Sequence, residues 1–409
     1  MKPMGPLPPE FAAQTGVLRV GGRDLEALVA EAGTTPFFFY DLGIAAARVA
    51  RFRAAFPGID LHYAMKANPH PAVVAGMATM VDGLDVASGG EMDLALRSKP
   101  AGAISFAGPG KRDAELGAAI AAGVTLNVES EGETERALAI AARIGVAPLL
   151  AVRVNPDMEL RGSGMKMGGR PSPFGVDEAR VPALVRSIID AGADWRGLHV
   201  YAGSQALDAQ AIVDTQAETL ALAGRIAQAV GVTPRLVNLG GGFGIPYFAG
   251  DTPPDIERVG RSLREATDNA AHSLTGTRFA IELGRWLVAE AGVYLTRVVD
   301  RKESRGETFL VVDGGLHHQL AASGNFGTVV RRNYPVAVAH RMGEPASETV
   351  SVVGCLCTPL DRLADRVALP RADAGDVIVI FLAGAYGATA SPMAFLGHPP
   401  AAEIVLPPS

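Results

Sequence analysis

Nine short runs of β-branched or aromatic residues recur along the first three-quarters of the chain, mostly about 20–45 residues apart. The segments between them, such as 114–122 and 131–144, carry apolar residues at helical intervals. Strand and helix in repetition predict parallel strands joined by right-handed crossovers. Eight or nine such units favour an α/β fold with a (β/α)8 barrel of the TIM type over an open sheet. A closed barrel takes eight strands, so one run should lie outside it, and the spacing does not say which. The runs are 36–41, 60–65, 83–88, 104–108, 125–130, 149–155, 197–203, 236–242 and 279–284.

The pattern changes after residue 286, where valine-rich runs alternate with turns and helical spacing becomes rare. This pattern is typical of a mostly β domain. We therefore predict a barrel over residues 36–285 and a β-rich domain over 286–409, to which residues 1–35 contribute with a strand-like run at 16–20. The length of 409 residues fits one barrel of roughly 250 residues plus a second domain. The β-like runs are 288–299, 308–313, 335–339, 349–353, 376–382 and 403–406.

Composition excludes several classes of protein. Forty-eight per cent of the residues are hydrophobic, which supports a packed core, and the net charge of −6 argues against nucleic-acid binding. No run of about 18 apolar residues occurs, so no membrane span is expected. The N-terminal residues have no apolar core typical of a secretory signal. The two cysteines, Cys355 and Cys357, cannot form a disulfide framework, which favours a reducing cytoplasm.

Chemistry in such barrels lies at the carboxyl ends of the strands, and polar residues stand there in this chain. Lys66 ends an apolar run, where a lysine is suited to a Schiff base, although a surface lysine is the commoner case. Gly240–Gly242 could present backbone N–H groups to a phosphate, or could form a tight turn. Glu282 could accept from a protonated ring nitrogen and Arg285 could bind a phosphate, or the two could form an ion pair.

The other candidate residues carry weaker signals. Asp85 and Arg153 could belong to buried networks with no further role, and Tyr386 could be a core aromatic. Cysteines are often buried as small hydrophobic residues, so either Cys355 or Cys357 could be inert.

Metal binding is not indicated by the sequence. His317 and His318 are adjacent, so they cannot share a face in regular structure. The chain has no H-E-x-x-H, no paired C-x-x-C and no EF-hand loop. We therefore predict no metal site.

The order of the motifs is more specific than any one of them. The series closely resembles the fold type III pyridoxal-phosphate decarboxylases, the group of diaminopimelate, ornithine and arginine decarboxylases, from about residue 30 to 400. The resemblance implies an alanine-racemase-like barrel with a second, mostly β domain. The matching motifs are Y-A-x-K-A-N at 63–68, G-L-D-V-A-S-x-G-E at 83–91, R-V-N-P at 153–156, A-G-S-Q at 202–205, G-G-G-F at 240–243, E-x-G-R at 282–285, and the segments around Cys357 and Tyr386.

This resemblance implies a role for each matching residue. Lys66 would hold pyridoxal 5'-phosphate through its amine, and Glu282 would pair with the pyridinium nitrogen. Cys357 would reach into the site of a partner subunit in a head-to-tail homodimer and help to protonate the product carbon. The residues expected to bind the cofactor are Lys66, Asp85, Arg153, Tyr201, Ser204, Gly240, Gly241, Gly242, Glu282, Arg285 and Tyr386.

Departures from the family pattern bear on the substrate. Tyr201 stands where the family has a histidine stacked on the cofactor ring. Thr358 and Pro359 follow Cys357, where the diaminopimelate and diamine enzymes have an acidic residue, so a substrate with a second ammonium group is disfavoured. Basic residues occur in the segments expected to bind the substrate. The expected substrate-binding residues are Lys166, Arg331, Arg332, Tyr334 and Thr358, with Arg170 near them.

These variants resemble a subgroup that includes decarboxylases of exosortase-linked systems and of amino acids tethered to an acyl carrier protein. The expected reaction is therefore pyridoxal-phosphate-dependent loss of CO₂ from the Cα of an acidic or carrier-tethered amino acid. One alternative is a meso-diaminopimelate decarboxylase of lysine biosynthesis. Another is a catalytically inactive binding protein, and an alanine-racemase-like isomerase fits less well. The expected partners are a small-molecule or carrier-bound amino acid and a second copy of the chain.

Overall fold

The computed structural model describes residues 1–157, 165–166, 171–324 and 332–408. The chain divides into two compact units. The barrel unit comprises Arg48–Gly244 and Pro253–Trp286, and the β-rich unit comprises Met1–Ala47, Ile245–Thr252 and Leu287–Ser409. These bounds differ from the expected 36–285 and from 1–35 plus 286–409 in two places. Residues 36–47 belong to the β-rich unit, and the chain returns to that unit at 245–252.

Eight parallel strands close into a barrel in the barrel unit. Each strand pairs with the next one along the chain, and the eighth pairs with the first. The prediction of a TIM-type barrel is confirmed. A short strand, Val176–Asp177, adds to the fifth barrel strand, and Met165–Lys166 pairs with Gly203–Ser204. The barrel strands, first to eighth, are Asp60–Ala64, Gly83–Val86, Ile104–Phe106, Thr125–Val128, Leu149–Asn155, Asp194–Val200, Leu236–Gly241 and Arg278–Leu283.

A helix follows each barrel strand, and local residues set its ends. Ser88 and Ser130 each accept a backbone N–H in the first turn of their helices, which satisfies a donor that the helix leaves unpaired. Gly123 and Gly231 end their helices in the left-handed conformation that glycine adopts without steric cost. The eight helices are Pro71–Met80, Gly89–Ala95, Asp113–Ala122, Glu131–Ile144, Val181–Asp190, Ala209–Val230, Ile256–Ala270 and Arg285–Val288.

The strand run that lies outside the barrel is the first of the nine. Phe37–Asp41 pairs antiparallel with Gly292–Leu295 and parallel with Ala402–Leu406, all within the β-rich unit. Its four aromatic residues are buried. A strand that is buried on both faces has a continuous apolar sequence, whether it lies in a barrel or in the centre of another sheet. Periodicity therefore does not distinguish a barrel strand from this one.

The β-rich unit is built on one large sheet. Two of its features differ from the expected runs: the residues at 285–288 are helical before the strand that starts at Gly292, and the strand Arg362–Leu369 was not predicted. The run at 16–20 contributes only Arg19–Val20, which pairs with Arg23–Asp24 in a separate hairpin. The strands of the large sheet are Phe37–Asp41, Gly292–Ser304, Glu307–Val312, Val336–Val338, Glu348–Val353, Arg362–Leu369, Val377–Ile380 and Ala402–Leu406.

The remaining elements are three α-helices and several 3-10 helices. Among the described residues, no helix combines the length and the hydropathy needed to cross a bilayer. The further α-helices are Pro9–Ala12, Leu25–Ala32 and Leu42–Ala55, and the 3-10 helices are Met65–Ala67, Ala101–Ala103, Glu178–Arg180, Leu320–Ser323, Ala388–Ala390 and Phe395–Gly397.

Candidate active site

Lys66 lies directly after the first barrel strand. It is the central residue of the 3-10 turn Met65–Ala67, in which Met65 and Ala67 are buried while the lysine is exposed. Its Nζ lies 5.1 Å from the ring centroid of Tyr201, which follows the sixth barrel strand. At this distance the ammonium and the ring face attract each other. The structure thus brings together two residues that are far apart in the sequence.

The glycines at 240–242 end the seventh barrel strand where neighbouring backbone leaves no space for a side chain. An added Cβ would lie 2.4 Å from the Val200 oxygen at Gly240, 1.8 Å from the Glu282 oxygen at Gly241, and 2.0 Å from the Gly203 oxygen at Gly242. Gly240 and Gly242 also have φ values of +70° and +72°. Ser204 adjoins this turn, since its Cα lies 3.2 Å from the same Cβ position at Gly242. The bare backbone at this point suits an anion such as a phosphate.

Glu282 is buried inside the barrel next to two polar side chains. Its Oε2 lies 2.9 Å from Nε2 of His199 and accepts a hydrogen bond of 3.2 Å from Nδ2 of Asn238. Burial raises the pKa of Glu282, but the electrostatic interaction and hydrogen bond with His199, together with the charges of Lys66 and Arg153, outweigh it and hold the pKa below the usual range. The carboxylate is therefore ionised at neutral pH and can accept a hydrogen bond from a protonated ring nitrogen.

Arg153 lies in the fifth barrel strand and is buried in an ion pair. Its Nη1 lies 3.0 Å from Oε1 of Glu129, and its guanidinium stands 5.1 Å from the Phe174 ring centroid. Glu129 also accepts from the backbone N–H groups of Gly108 and Gly175. The Arg153–Glu129 pair thus links the loops after the third and fifth strands. The charge of Arg153 also lowers the pKa of Glu282.

Asp85 belongs to a polar network inside the barrel. Its Oδ1 lies 3.1 Å from Nδ1 of His62 and accepts from Ser105 Oγ at 2.7 Å, while Asn127 Nδ2 donates to Ser105 Oγ at 3.0 Å. Burial lowers the pKa of His62, but the Asp85 carboxylate outweighs it and raises the pKa. Gly83 gives the imidazole its space, because a Cβ there would lie 2.7 Å from Nε2.

Arg285 begins the helix after the eighth barrel strand and is half-buried. The barrel unit thus carries a lysine, a glycine turn, an ionised carboxylate and an arginine at the carboxyl ends of its strands. The family model for the pyridoxal-dependent decarboxylase pyridoxal-binding domain matches residues 43–289. The chain belongs to the pyridoxal-dependent decarboxylases. The expected family is thereby confirmed, and pyridoxal phosphate is the cofactor of this enzyme.

Relatives of the decarboxylase match over nearly its whole length. It is 36% identical to the L-glutamyl-[BtrI acyl-carrier protein] decarboxylase of Niallia circulans, over 91% of this chain and 88% of that protein. It is 32% identical to a diaminopimelate decarboxylase of Methanothermobacter thermautotrophicus, over 96% and 91%. The crystal structure of the Helicobacter pylori diaminopimelate decarboxylase complexed with L-lysine has a TM-score of 0.82 at 26% identity and covers 93% of both chains.

The residues of the barrel unit fit pyridoxal phosphate. The glycine turn has no side chains and no room for a Cβ beside the neighbouring backbone, and the ionised Glu282 suits a pyridinium nitrogen. The lysine amine is the group that forms a Schiff base with an aldehyde. Three kinds of partner for one cofactor therefore lie at the same end of the barrel.

The predicted residues of the β-rich unit differ in exposure. Cys357 is exposed and Thr358 is half-buried in the turn after Glu348–Val353. Tyr386 is half-buried and has a φ of 53°, which is rare for a residue other than glycine. Backbone in this conformation is held by its surroundings, and such positions are frequent at functional sites.

Two of the predicted substrate-binding residues lie in an aromatic cluster of the β-rich unit. Arg332 is exposed, and its guanidinium lies 3.9 Å from the Phe248 ring centroid. Tyr334 is buried, with its ring 4.7 Å from Tyr247 and 5.7 Å from Phe248. Of these two residues, Arg332 is the one that presents a charge to solvent.

Some predicted residues cannot be placed. Arg170 and Arg331 lie outside the described residues. For Lys166 only the backbone is described, and it pairs with Gly203, next to Ser204.

Sequence reasoning missed several polar residues that support the site. His199 could have been found, because side chains two apart on a strand share a face and Tyr201 lies two residues later. Glu91 is a further case: burial raises its pKa, and the backbone N–H of Ala87 and the charge of Lys66 oppose that rise. His62, Asn127 and Asn238 lie within apolar strands, where a single polar residue does not indicate a functional site.

Proposed function

We propose that this decarboxylase removes the α-carboxylate of an acidic amino acid that is tethered to an acyl carrier protein. The observation that carries the proposal is the pair Thr358–Pro359, which follows Cys357 where diamine-specific enzymes of the family have an acidic residue. The similarity to the glutamyl-carrier decarboxylase of Niallia circulans supports it. Decarboxylation of free meso-diaminopimelate is the second candidate, supported by the relatives with that activity.

Pyridoxal phosphate, when bound, supplies the electron sink that allows an amino acid to lose CO₂ from Cα. In our proposal Lys66 binds the cofactor through its amine, and the turn Gly240–Gly242 borders the phosphate, with the Gly240 N–H held by Asn238 Oδ1 at 2.9 Å. Ser204 and Arg285 complete the part of the phosphate site that the barrel unit supplies, and the family resemblance implies that Tyr386 is a further phosphate ligand. Arg153 acts by its charge, which lowers the pKa of Glu282. Asp85 acts through His62, whose pKa it raises.

Glu282 and Tyr201 hold the cofactor ring in this proposal. The carboxylate, kept ionised by His199, holds a proton on the ring nitrogen. Tyr201 supplies a flat aromatic face in place of the family's histidine, so the contact is apolar and carries no imidazolium charge. The 5.1 Å approach of Lys66 Nζ to the Tyr201 ring supports a shared position at the barrel mouth.

In our proposal Arg332 belongs to the group that binds the substrate, and its guanidinium is oriented by stacking on Phe248. Lys166, Arg331, Tyr334 and Thr358 are the other residues proposed to bind the substrate.

We further propose that the enzyme is a homodimer in which Cys357 of one subunit donates a proton at the site of the other. The exposure of the Cys357 side chain supports this role. Mixing the inactive variants Lys66→Ala and Cys357→Ala tests it. Exchange into heterodimers should restore up to about a quarter of the active sites, since half of the dimers would hold one intact site. No recovery in heterodimers demonstrated by two affinity tags would contradict shared sites.

The substrate is tested by measuring CO₂ release from glutamyl-carrier thioester, free glutamate, lysine and meso-diaminopimelate. The proposal expects the thioester to give the highest kcat/KM. Fastest turnover of free meso-diaminopimelate, with no turnover of the thioester, would contradict the proposed carrier-tethered substrate. Thr358→Glu restores the missing acid and should shift the preference towards the diamino acid, while Thr358→Gln, of the same size and without the charge, should not.

A further inference from the structure

Three potential metal ligands from distant parts of the sequence meet in the β-rich unit. Ring nitrogens of His317 and His398 and Sγ of Cys355 all lie within 4.8 Å of one another. None of the three is among the residues proposed to bind pyridoxal phosphate. We infer that His317, Cys355 and His398 form a zinc site.

The unsatisfied state of His317 points to a ligand. Its side chain is fully buried, and neither ring nitrogen has a hydrogen-bond partner within the part of the chain that the structure describes. Burying a polar group without a partner costs free energy, and proteins rarely leave such groups unpaired. A metal ion between the three side chains would satisfy one of these nitrogens.

The spacing of the ligand atoms suits zinc. Cys355 Sγ lies 3.9 Å from both ring nitrogens of His398. With Zn–S near 2.3 Å and Zn–N near 2.0–2.1 Å, tetrahedral coordination sets sulfur and nitrogen about 3.6 Å apart. The Cys355–His398 separation is therefore within a few tenths of an ångström of the value that zinc requires. The other separations, up to 4.8 Å, must shorten by about 1 Å for zinc to bridge all three ligands. Two imidazoles and one thiolate are ligands that zinc prefers over the hard cations magnesium and calcium.

Neighbouring residues hold the ligand-bearing segments in place. His318 lies 2.9 Å through Nε2 from the carbonyl oxygen of Pro399, the residue after His398, and 3.1 Å through Nδ1 from the hydroxyl of Tyr294. The backbone N–H of Cys355 donates to the Gly314 oxygen at 3.2 Å. Outer partners of this kind orient the ligands of metal sites.

Zinc binding displaces the proton of the Cys355 thiol to solvent, one proton for each zinc–sulfur bond formed.

Three protein ligands leave a fourth position for water, the arrangement of open zinc sites. The ligands come from the turns after Glu307–Val312 and Glu348–Val353 and from the segment before Ala402–Leu406. A zinc ion would cross-link these three segments of the β-rich unit.

The test measures zinc in the full-length enzyme loaded with pyridoxal phosphate. After equilibrium dialysis against zinc sulfate, elemental analysis should find one tightly bound zinc per chain. Cys355→Ser and His317→Ala should each weaken zinc binding at least about tenfold. Cys357→Ser, two residues from the proposed ligand, and His272→Ala, on an exposed helix end, should leave zinc binding unchanged.

Cobalt(II) provides a second readout that needs no variant. Bound at the site, cobalt should give the thiolate-to-metal charge-transfer absorption that marks a cysteine ligand, and Cys355→Ser should abolish it while Cys357→Ser keeps it. Equal zinc content in the wild type and in Cys355→Ser would overturn the proposal. So would the absence of the charge-transfer band in the wild type, which decides the matter even where circular dichroism shows that a variant fails to fold.

Discussion

Replacing Gly241 by alanine separates a steric clash from backbone strain at the glycine turn. Gly241 lies outside the left-handed region, so alanine can adopt its backbone conformation. The new Cβ would nevertheless lie 1.8 Å from the Glu282 carbonyl oxygen, in the neighbouring barrel strand. Real Cβ contacts do not fall below about 3 Å, so the two strands must separate by about 1 Å or more. Overpacking of this kind typically costs about 1–3 kcal/mol.

Two related variants provide the comparison. Gly242→Ala combines a clash, with its Cβ 2.0 Å from the Gly203 oxygen, and a φ of +72°, which adds about 1–2 kcal/mol for a residue other than glycine. Its expected total cost is about 2–5 kcal/mol. Gly231→Ala has the same strain without the clash, because its φ is +80° and no atom lies within 4 Å of the Cβ position. Gly231→Ala should therefore cost about 1 kcal/mol.

Urea unfolding and cofactor titration measure the two consequences separately. The loss of unfolding free energy should increase from Gly231→Ala through Gly241→Ala to Gly242→Ala. Absorbance titration with pyridoxal phosphate should show at least about tenfold weaker binding for the two turn variants, which corresponds to 1.4 kcal/mol or more, and unchanged binding for Gly231→Ala. Wild-type stability and cofactor affinity in Gly241→Ala would show that the turn is not close-packed against the eighth barrel strand.

Three further predictions concern charge and stacking. The lowered pKa of Glu282 stabilises the fold above its unfolded pKa of about 4.3, and this stability is lost as the pH falls, so Glu282→Gln should unfold in urea with a weaker pH dependence below that value. The raised pKa of His62 stabilises the fold fully below about pH 6.5, and this stability is lost as the pH rises through the folded pKa. Asp85→Asn should remove that loss. An unchanged dependence of the unfolding free energy on pH would contradict the pairing of His62 with Asp85. Tyr201→Ala should weaken pyridoxal phosphate binding by about tenfold in an absorbance titration while Tyr201→Phe keeps it, and equal losses would rule out stacking.

The sequence predicts the parts of the molecule that depend on local order. Eight of the nine strand runs form the barrel, because strand–helix alternation is itself a local pattern. Lys66 and Gly240–Gly242 could be found because they directly follow apolar strands. The ninth run, Phe37–Asp41, could not be assigned, since its position depends on pairing with Ala402–Leu406 at the other end of the chain.

Side-chain clusters built by the fold are harder to predict. In the sequence Cys355 stands two residues from Cys357, and His317 stands next to His318. The structure pairs His317 and Cys355 with His398 instead, and such a contact leaves no spacing motif in the sequence. The absence of metal motifs from the sequence therefore does not bear on the zinc site proposed for these three residues.

The interior of the barrel explains why Glu282 can act as a fixed charge. Barrels of this type are usually filled by branched apolar side chains. Here His199, Asn238 and Glu282 are all buried inside it, and an unpaired buried carboxylate would be protonated. The imidazole of His199 and the amide of Asn238 instead pair with the carboxylate, and its lowered pKa keeps it ionised. The barrel thus holds an ionised carboxylate where apolar side chains usually pack. In our proposal this charge favours a protonated ring nitrogen, whichever amino acid the enzyme decarboxylates.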